Sequence, residues 1–275
     1  MLRSARSLVL ALLACGAAAA GDFYVLDNCA GRGRFTCSEQ AALLKKVGIG
    51  GIGSTRPEDL PAALVDFDAA GVQVRALYTV ANISAEGARI DAGVGPAIKA
   101  LKGRAAIVLL GINGKAPDGD KLALDVVRQV HAMASASGLT VALYPHYGCH
   151  IASVDDALRL ADKYDSPDVG ISFNLCHWLR ENGGKEPVEK VVRRLRRLRT
   201  IVINGADYEG GWERLIQTLD RGQFDVYRLL ALLKARGLDV PVGLQCYNIP
   251  GEPEANLTRS YAAWRAFSVR LAAEK

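Results

Sequence analysis

The chain has few of the residues that usually announce a function. Four histidines and six cysteines are spread over 275 residues, and no two cysteines have the Cys-x-x-Cys spacing of a zinc site. No Pro/Ser-rich linker or block of like charge divides the chain, which predicts a single domain. "GIGGIGST" (48–55) has the glycines of a phosphate loop, but its isoleucines belong to a strand pattern and no helix opens on its second glycine. A dinucleotide fold therefore lacks its fingerprint. No apolar run reaches the ~20 residues that span a bilayer.

Charge of one sign is also scarce. The formal net charge is +5, and two of those charges, Arg3 and Arg6, sit in a leader. Without them 5 − 2 leaves +3, too little for a nucleic-acid surface. "RRLRRLRT" (193–200) spaces its arginines around Leu195 and Leu198 as an amphipathic helix with a solvated face does.

What is present begins with that leader. Arg3 and Arg6 form a basic region, residues 8–14 an apolar one, and Ala18 to Ala20 a small-residue cleavage site, so residues 1–20 read as a signal peptide and 21–275 as the mature domain. Export to a periplasm or the exterior is expected. Leu12-Leu13-Ala14-Cys15 loosely resembles a lipoprotein box, which would anchor the chain through Cys15. Five cysteines then remain, an odd number, and Cys29 and Cys37 flank a Gly/Arg loop short enough for them to pair.

Eight short apolar runs follow, at 23–28, 49–55, 72–79, 105–113, 140–146, 169–177, 200–207 and 241–248. Helical patterns such as "PEDLPAALVDFDAAG" and "DVYRLLALLKARG" alternate with them, several closed by glycine. Strand-helix repeats at this spacing pair in parallel, and eight of them close a single (β/α)8 barrel. Chemistry in that fold sits at the C-terminal strand ends. Those ends carry Asp27 and Asn28; Ser54 and Thr55; Tyr78; Asn113; Tyr144 and His146; Asn174, Cys176 and His177; Asn204 and Asp207; Gln245, Tyr247 and Asn248. His146, His150 and His177 all follow the fifth and sixth runs, whereas His131 lies in a helical pattern.

The segments "LYPHYGCHIASVDDALRLADKYDSPDVGISFNLCHWL" and "PVGLQCYNI…NL…S…AW" resemble the xylose isomerase-like TIM barrels. The resemblance implies sugar isomerase, epimerase or lyase chemistry, in which a divalent ion (Mn, Zn or Co) and flanking carboxylates move a proton next to a carbonyl. Its metal ligands, two Glu, an Asp and a His, fall here on Tyr144, Gln245, Asn174 and Asn204, so all four depart. Two neutral amides, a phenol and a third amide bind a divalent ion far more weakly than carboxylates and imidazole. His146 and His177 keep the family's trailing histidine places and are the candidate acid/base groups or metal ligands, with Asp207 as a third catalytic candidate.

Asn28, Tyr144, Asn174, Asn204 and Gln245 are expected to orient substrate hydroxyls, and Trp178, Tyr247 and Trp212 to offer ring faces to a sugar. The expected ligand is a small sugar, with no nucleic acid and no transmembrane span. A nuclease like that branch of the family needs several zinc ions and many more histidines than this chain has. A barrel that has lost catalysis and only binds sugars is the alternative, favoured by the loss of all four ligand positions.

Overall fold

The structure is a computed structural model that describes residues 22–274. The expected signal peptide and Cys15 lie outside the described residues. Nine strands are present: β1 (Phe23–Leu26), β2 (Gly51–Ser54), β3 (Gln73–Ser84), β4 (Gly87–Arg89), β5 (Ile107–Gly114), β6 (Thr140–Leu143), β7 (Val169–Asn174), β8 (Leu198–Ile203) and β9 (Val242–Leu244). Among the described residues ten α-helices accompany them, besides a 3-10 turn at Asp27–Ala30: α1 (Cys37–Val47), α2 (Leu60–Ala70), α3 (Val94–Ala100), α4 (Gly119–Ser135), α5 (Val154–Tyr164), α6 (Leu175–Asn182), α7 (Val188–Arg194), α8 (Trp212–Leu215), α9 (Val226–Ala235) and α10 (Pro253–Ala273).

All strands except β4 pair in parallel in the order β2-β1-β9-β8-β7-β6-β5-β3, and β2 also pairs with β3, so the ring closes as a (β/α)8 barrel. β4 is an addition the run pattern did not foretell. It folds back antiparallel on the end of β3, pairing Asn82 with Arg89.

Two cores result from the alternation of side chains along each strand. Inside the barrel lie Tyr24, Leu26, Ala76, Leu109, Ala142, Tyr144 and Val202. Tyr24 needs a glycine beside it, because a Cβ on Gly243 would come within 2.7 Å of its ring. The larger core lies between strands and helices, and α10 covers the start of β1 by stacking Trp264 on Phe23 at 4.6 Å.

Local signals account for the helix ends. α1 and α5 start on capping boxes, Thr36 with Glu39 and Ser153 with Asp156, and α1 and α2 stop on left-handed glycines, Gly48 and Gly71. The arginine run behaves differently from the expectation of one helix. α7 ends at Arg194, Arg197 takes a positive φ of 54°, and Leu198 already begins β8. Leu195 and Leu198 are buried, one closing a helix and the other opening a strand, so burial sets both ends of the run. Three of its five arginines are in ion pairs: Arg194 with Glu186 and Asp155, Arg196 with Asp162, and Arg197 with Asp162 and Asp165.

The Cys29–Cys37 link is not formed. Every cysteine among the described residues is free, and the Cys29 thiol donates to the Leu244 carbonyl at 3.2 Å instead.

Candidate active site

The mouth of the barrel divides into two halves. On the side of β1, β2 and β9, Asp27 follows β1 and is buried. Its carboxylate accepts from the Thr55 amide at 2.8 Å and the Thr55 hydroxyl at 2.9 Å, and it faces the Arg32 guanidinium at 3.4 Å. Burial outweighs these partners and raises the Asp27 carboxyl above its ordinary value. Beside it the Asn28 amide donates to Gln245 Oε1 at 2.5 Å, and Asn28 Oδ1 accepts from the Cys246 amide at 3.2 Å. These contacts join the first and last barrel strands.

On the side of β6, β7 and β8 the polar groups are in contact and less satisfied. His146 follows β6, and His177 lies in the first turn of α6, directly after β7. Their rings lie in contact, centroids 3.8 Å apart and tilted by 38°. His177 is only 5% exposed, and burial, helped by repulsion from His146, lowers its pKa to about 3. Burial also lowers the pKa of His146, whose Nδ1 sits 3.0 Å from the Tyr147 carbonyl. With Nδ1 protonated toward that carbonyl, Nε2 carries the lone pair. Beneath the pair, Tyr144 receives a hydrogen bond from the Asn174 amide, and Asn174 Oδ1 accepts from the Cys176 thiol at 3.2 Å. Burial pushes the Tyr144 phenol well above its usual range, so it stays protonated.

Among the described residues, the buried side-chain atoms without a partner on this side include His177 Nδ1 and Asn204 Oδ1. An unsatisfied buried polar atom costs about 1–3 kcal/mol, and these two lie just beyond β7 and β8, at the end of the barrel where ligands of this fold bind.

The connection from β8 to α9 forms a strap over this half. Asn204 donates to the carbonyls of Gly205 at 2.8 Å and Leu215 at 2.7 Å. Asp207 pairs with Arg214 at 2.6 Å and accepts from Gln217 at 3.2 Å and the Gln223 amide at 3.0 Å. Gly205 is required by close approach, since a Cβ there would lie 2.0 Å from the Thr218 carbonyl. At the strap's tip Trp212 sits 5.4 Å from the His177 ring and 6.2 Å from Tyr147. Arg180 lies over both Tyr147 and Trp212, 5.3 and 5.8 Å from the ring centres. The strap and these rings cover His177.

The residues expected at the mouth therefore separate. His146, His177, Tyr144 and Asn174 come together, and Asn28 and Gln245 bind each other across the opposite wall. Asp207 spends its carboxylate on the strap and leaves no free oxygen suited to act as a base. Asn204 spends its amide protons there too, but keeps Oδ1 open. Trp178 is 8% exposed, packs on Phe173 and Phe224, and donates to Glu186 at 3.1 Å, so its ring is a packing element. Tyr247 is 47% exposed on the rim. His150 turns outward to Asp120 at 3.2 Å, and His131 meets the Tyr164 hydroxyl at 2.9 Å. Tyr147 and Arg180 went unread in the sequence. The signal for Arg180 was its place three residues after His177 on one helix face.

A divalent ion does not fit this donor set. Tyr144 keeps its proton, the Asn174 and Gln245 oxygens are engaged, and among the described residues no three His, Cys, Asp or Glu side chains converge. A cavity of about 640 Å³ lies elsewhere, on the outer wall between α9 and α10, lined by groups such as Leu230, Tyr261 and Trp264, far from this chemistry.

Fold and site together describe an αβ barrel with a polar, roofed mouth. Residues 96–267 match the xylose isomerase-like TIM barrel family, and the chain belongs to that family. Three solved structures show the same fold. The IOLI protein with a bound zinc atom is 14% identical, with a TM-score of 0.69 over 90% of this chain and 98% of its own. L-ribulose 3-epimerase is 13% identical, with a TM-score of 0.68 over 91% and 96%. The 3-keto-D-glucoside 4-epimerase YcjR from E. coli is 16% identical, with a TM-score of 0.67 over 90% and 99%. No curated protein matches the chain in sequence.

Proposed function

We propose that the mouth binds a small sugar or keto-sugar and moves a proton next to its carbonyl, as an isomerase, epimerase or lyase, without a metal ion. The observation that carries this reading is the buried, unpartnered atoms His177 Nδ1 and Asn204 Oδ1 at the contact of the two imidazoles. A ligand rich in hydroxyls satisfies both. The sugar epimerases that share the fold support the same substrate class.

Both imidazoles are neutral at pH 7 because burial lowers them. His146 is the less buried of the two and the better proton acceptor. Its Nε2 takes the proton from the carbon next to the carbonyl, the C–H electron pair moves into an enediol, and the developing oxyanion is met by an N–H of the neutral His177. Return of the proton to the same carbon on its other face epimerises. Return to the neighbouring carbon isomerises.

The test is solvent exchange. Incubation of the protein with keto-sugars in D2O is expected to place deuterium on the carbon next to the carbonyl, read by NMR, and His146→Ala is expected to abolish it. Sugar binding without exchange in the wild type would refute catalysis and leave a binding barrel. That second reading is favoured by one observation: the buried mouth carboxylates, Asp27 and Asp207, are both committed to cations.

Export to a periplasm or the exterior, with the leader removed or Cys15 lipidated, belongs to the same reading. Mass spectrometry of the mature N-terminus tests it.

A further inference from the structure

We infer that the sugar this mouth accepts is an acid, bearing a carboxylate that pairs with Arg180. The inference rests on the sugar reading above and names the substrate class within it.

Three observations converge on Arg180. Its guanidinium is held rigidly, lying over Tyr147 and Trp212 and donating one N–H to the Gly210 carbonyl at 3.0 Å. The rest of its donor fork is exposed and has no carboxylate partner among the described residues. By contrast, Arg32, Arg194 and Arg214 around the same face each hold an acid. Arg180 also stands three residues beyond His177 on α6, which at 1.5 Å per residue sets it about 4.5 Å farther out along the helix. Both side chains meet the Trp212 ring, His177 at 5.4 Å and Arg180 at 5.8 Å, so a sugar with its hydroxyls toward His177 and Asn204 has its acid group toward the rim.

The chemistry of the mouth agrees. The two histidines are neutral, the amides are neutral, and Asp27 and Asp207 are paired with their arginines, so Arg180, on the same helix as His177, is a cation open to a ligand. Glu209 and Glu213 are exposed on the strap, and neither forms an ion pair with Arg180. A planar guanidinium pinned on aromatic faces pairs with a carboxylate through two parallel N–H bonds, geometry that a lysine cannot supply.

The experiment is calorimetric titration of the whole protein with D-glucose, D-glucuronate, D-gluconate and D-glucose 6-phosphate at low and high salt. The expected result is that one of the two carboxylates binds at least tenfold more tightly than glucose, with a salt-sensitive advantage. Arg180→Gln is expected to bring the affinities for the acids and for glucose within about twofold of each other, and Arg180→Lys to restore only part of the difference. Equal affinity for glucose and both acids, or an acid preference that survives Arg180→Gln, would overturn the inference while leaving the sugar reading intact. Preference for the phosphate over both carboxylates would overturn the carboxylate assignment. Binding of none of the four would overturn the inference together with the reading beneath it.

Discussion

The two halves of the barrel mouth contain similar residue types and treat them in opposite ways. Around β1, β2 and β9, Asp27, Asn28, Arg32, Thr55 and Gln245 satisfy one another. Around β6, β7 and β8, two imidazoles are pressed together, and a ring nitrogen and an amide oxygen are left without partners. A closed hydrogen-bond network holds a fold together. An open one has a cost that a ligand can recover, so the second half is where function is expected and the first is where stability is expected.

The comparison breaks most sharply at His177. His177→Ala is expected to lower solvent exchange or turnover by about 10²-fold or more while leaving the fold intact, measured by D2O exchange and circular dichroism. His177→Gln adds a pH test. A histidine held near a pKa of about 3 binds fewer protons in the fold than in the unfolded chain. Its contribution to stability is therefore present above the unfolded value of about 6.5 and is lost as the pH falls from there toward 3. The Gln variant should flatten that slope in urea unfolding, and an unchanged slope would place His177 in a different environment.

On the closed side, Asp27→Ala is expected to cost about 2 kcal/mol in urea unfolding, because Arg32 and the Thr55 amide lose their acceptor. Asp27→Asn should cost under about 1 kcal/mol, since burial already disfavours the charge. Equal losses would mean that the charge, rather than the hydrogen bonding, matters.

Away from the mouth, Asp120 gives a smaller effect. Burial opposes its charge, but Lys163 and Arg159 prevail and hold its carboxyl at about 2. A depressed carboxylate adds stability above its unfolded pKa, and that stability is lost as pH falls from about 4 to 2. After discounting for solvent screening, Asp120→Asn should remove roughly 1 kcal/mol at pH 7, and a shrinking fraction of that as the pH falls through about 2. Trp212→Ala is expected to change stability by less than about 0.5 kcal/mol, yet to speed the reaction of His177 with diethylpyrocarbonate several-fold by uncovering it. Dialysis against a chelator should leave the Tm unchanged, and a shift would restore a metal to the site.

The barrel was legible because its signals are local and repeated. Eight runs and intervening glycine-capped helices mark one strand-helix unit each, and they match the eight strands of the ring. The long α10 and the β4 arm were not read; the second is three residues long and pairs antiparallel, outside the strand-helix repeat. The site was half legible. Position at strand ends located His146 and His177, but partner choice depends on how each following connection folds back on the strand end. Nothing adjacent to Asp207 in the chain reveals that Arg214, Gln217 and Gln223 will consume its carboxylate. Trp178 misled for the same reason: its indole N–H is taken by Glu186, eight residues on.

The strap has a consequence for how this barrel changes over generations. Asn204 and Asp207 fasten its base, and Gly205 pairs with Gln217 across it, leaving the tip at 208–213 mostly in solvent. Because the closure is fixed below the tip, lengthening residues 209–211 adds little loop entropy, while Tyr208 on Phe224 and Trp212 on His177 anchor the two flanks. The tip is thus a span whose length is free to vary between two fixed aromatic posts.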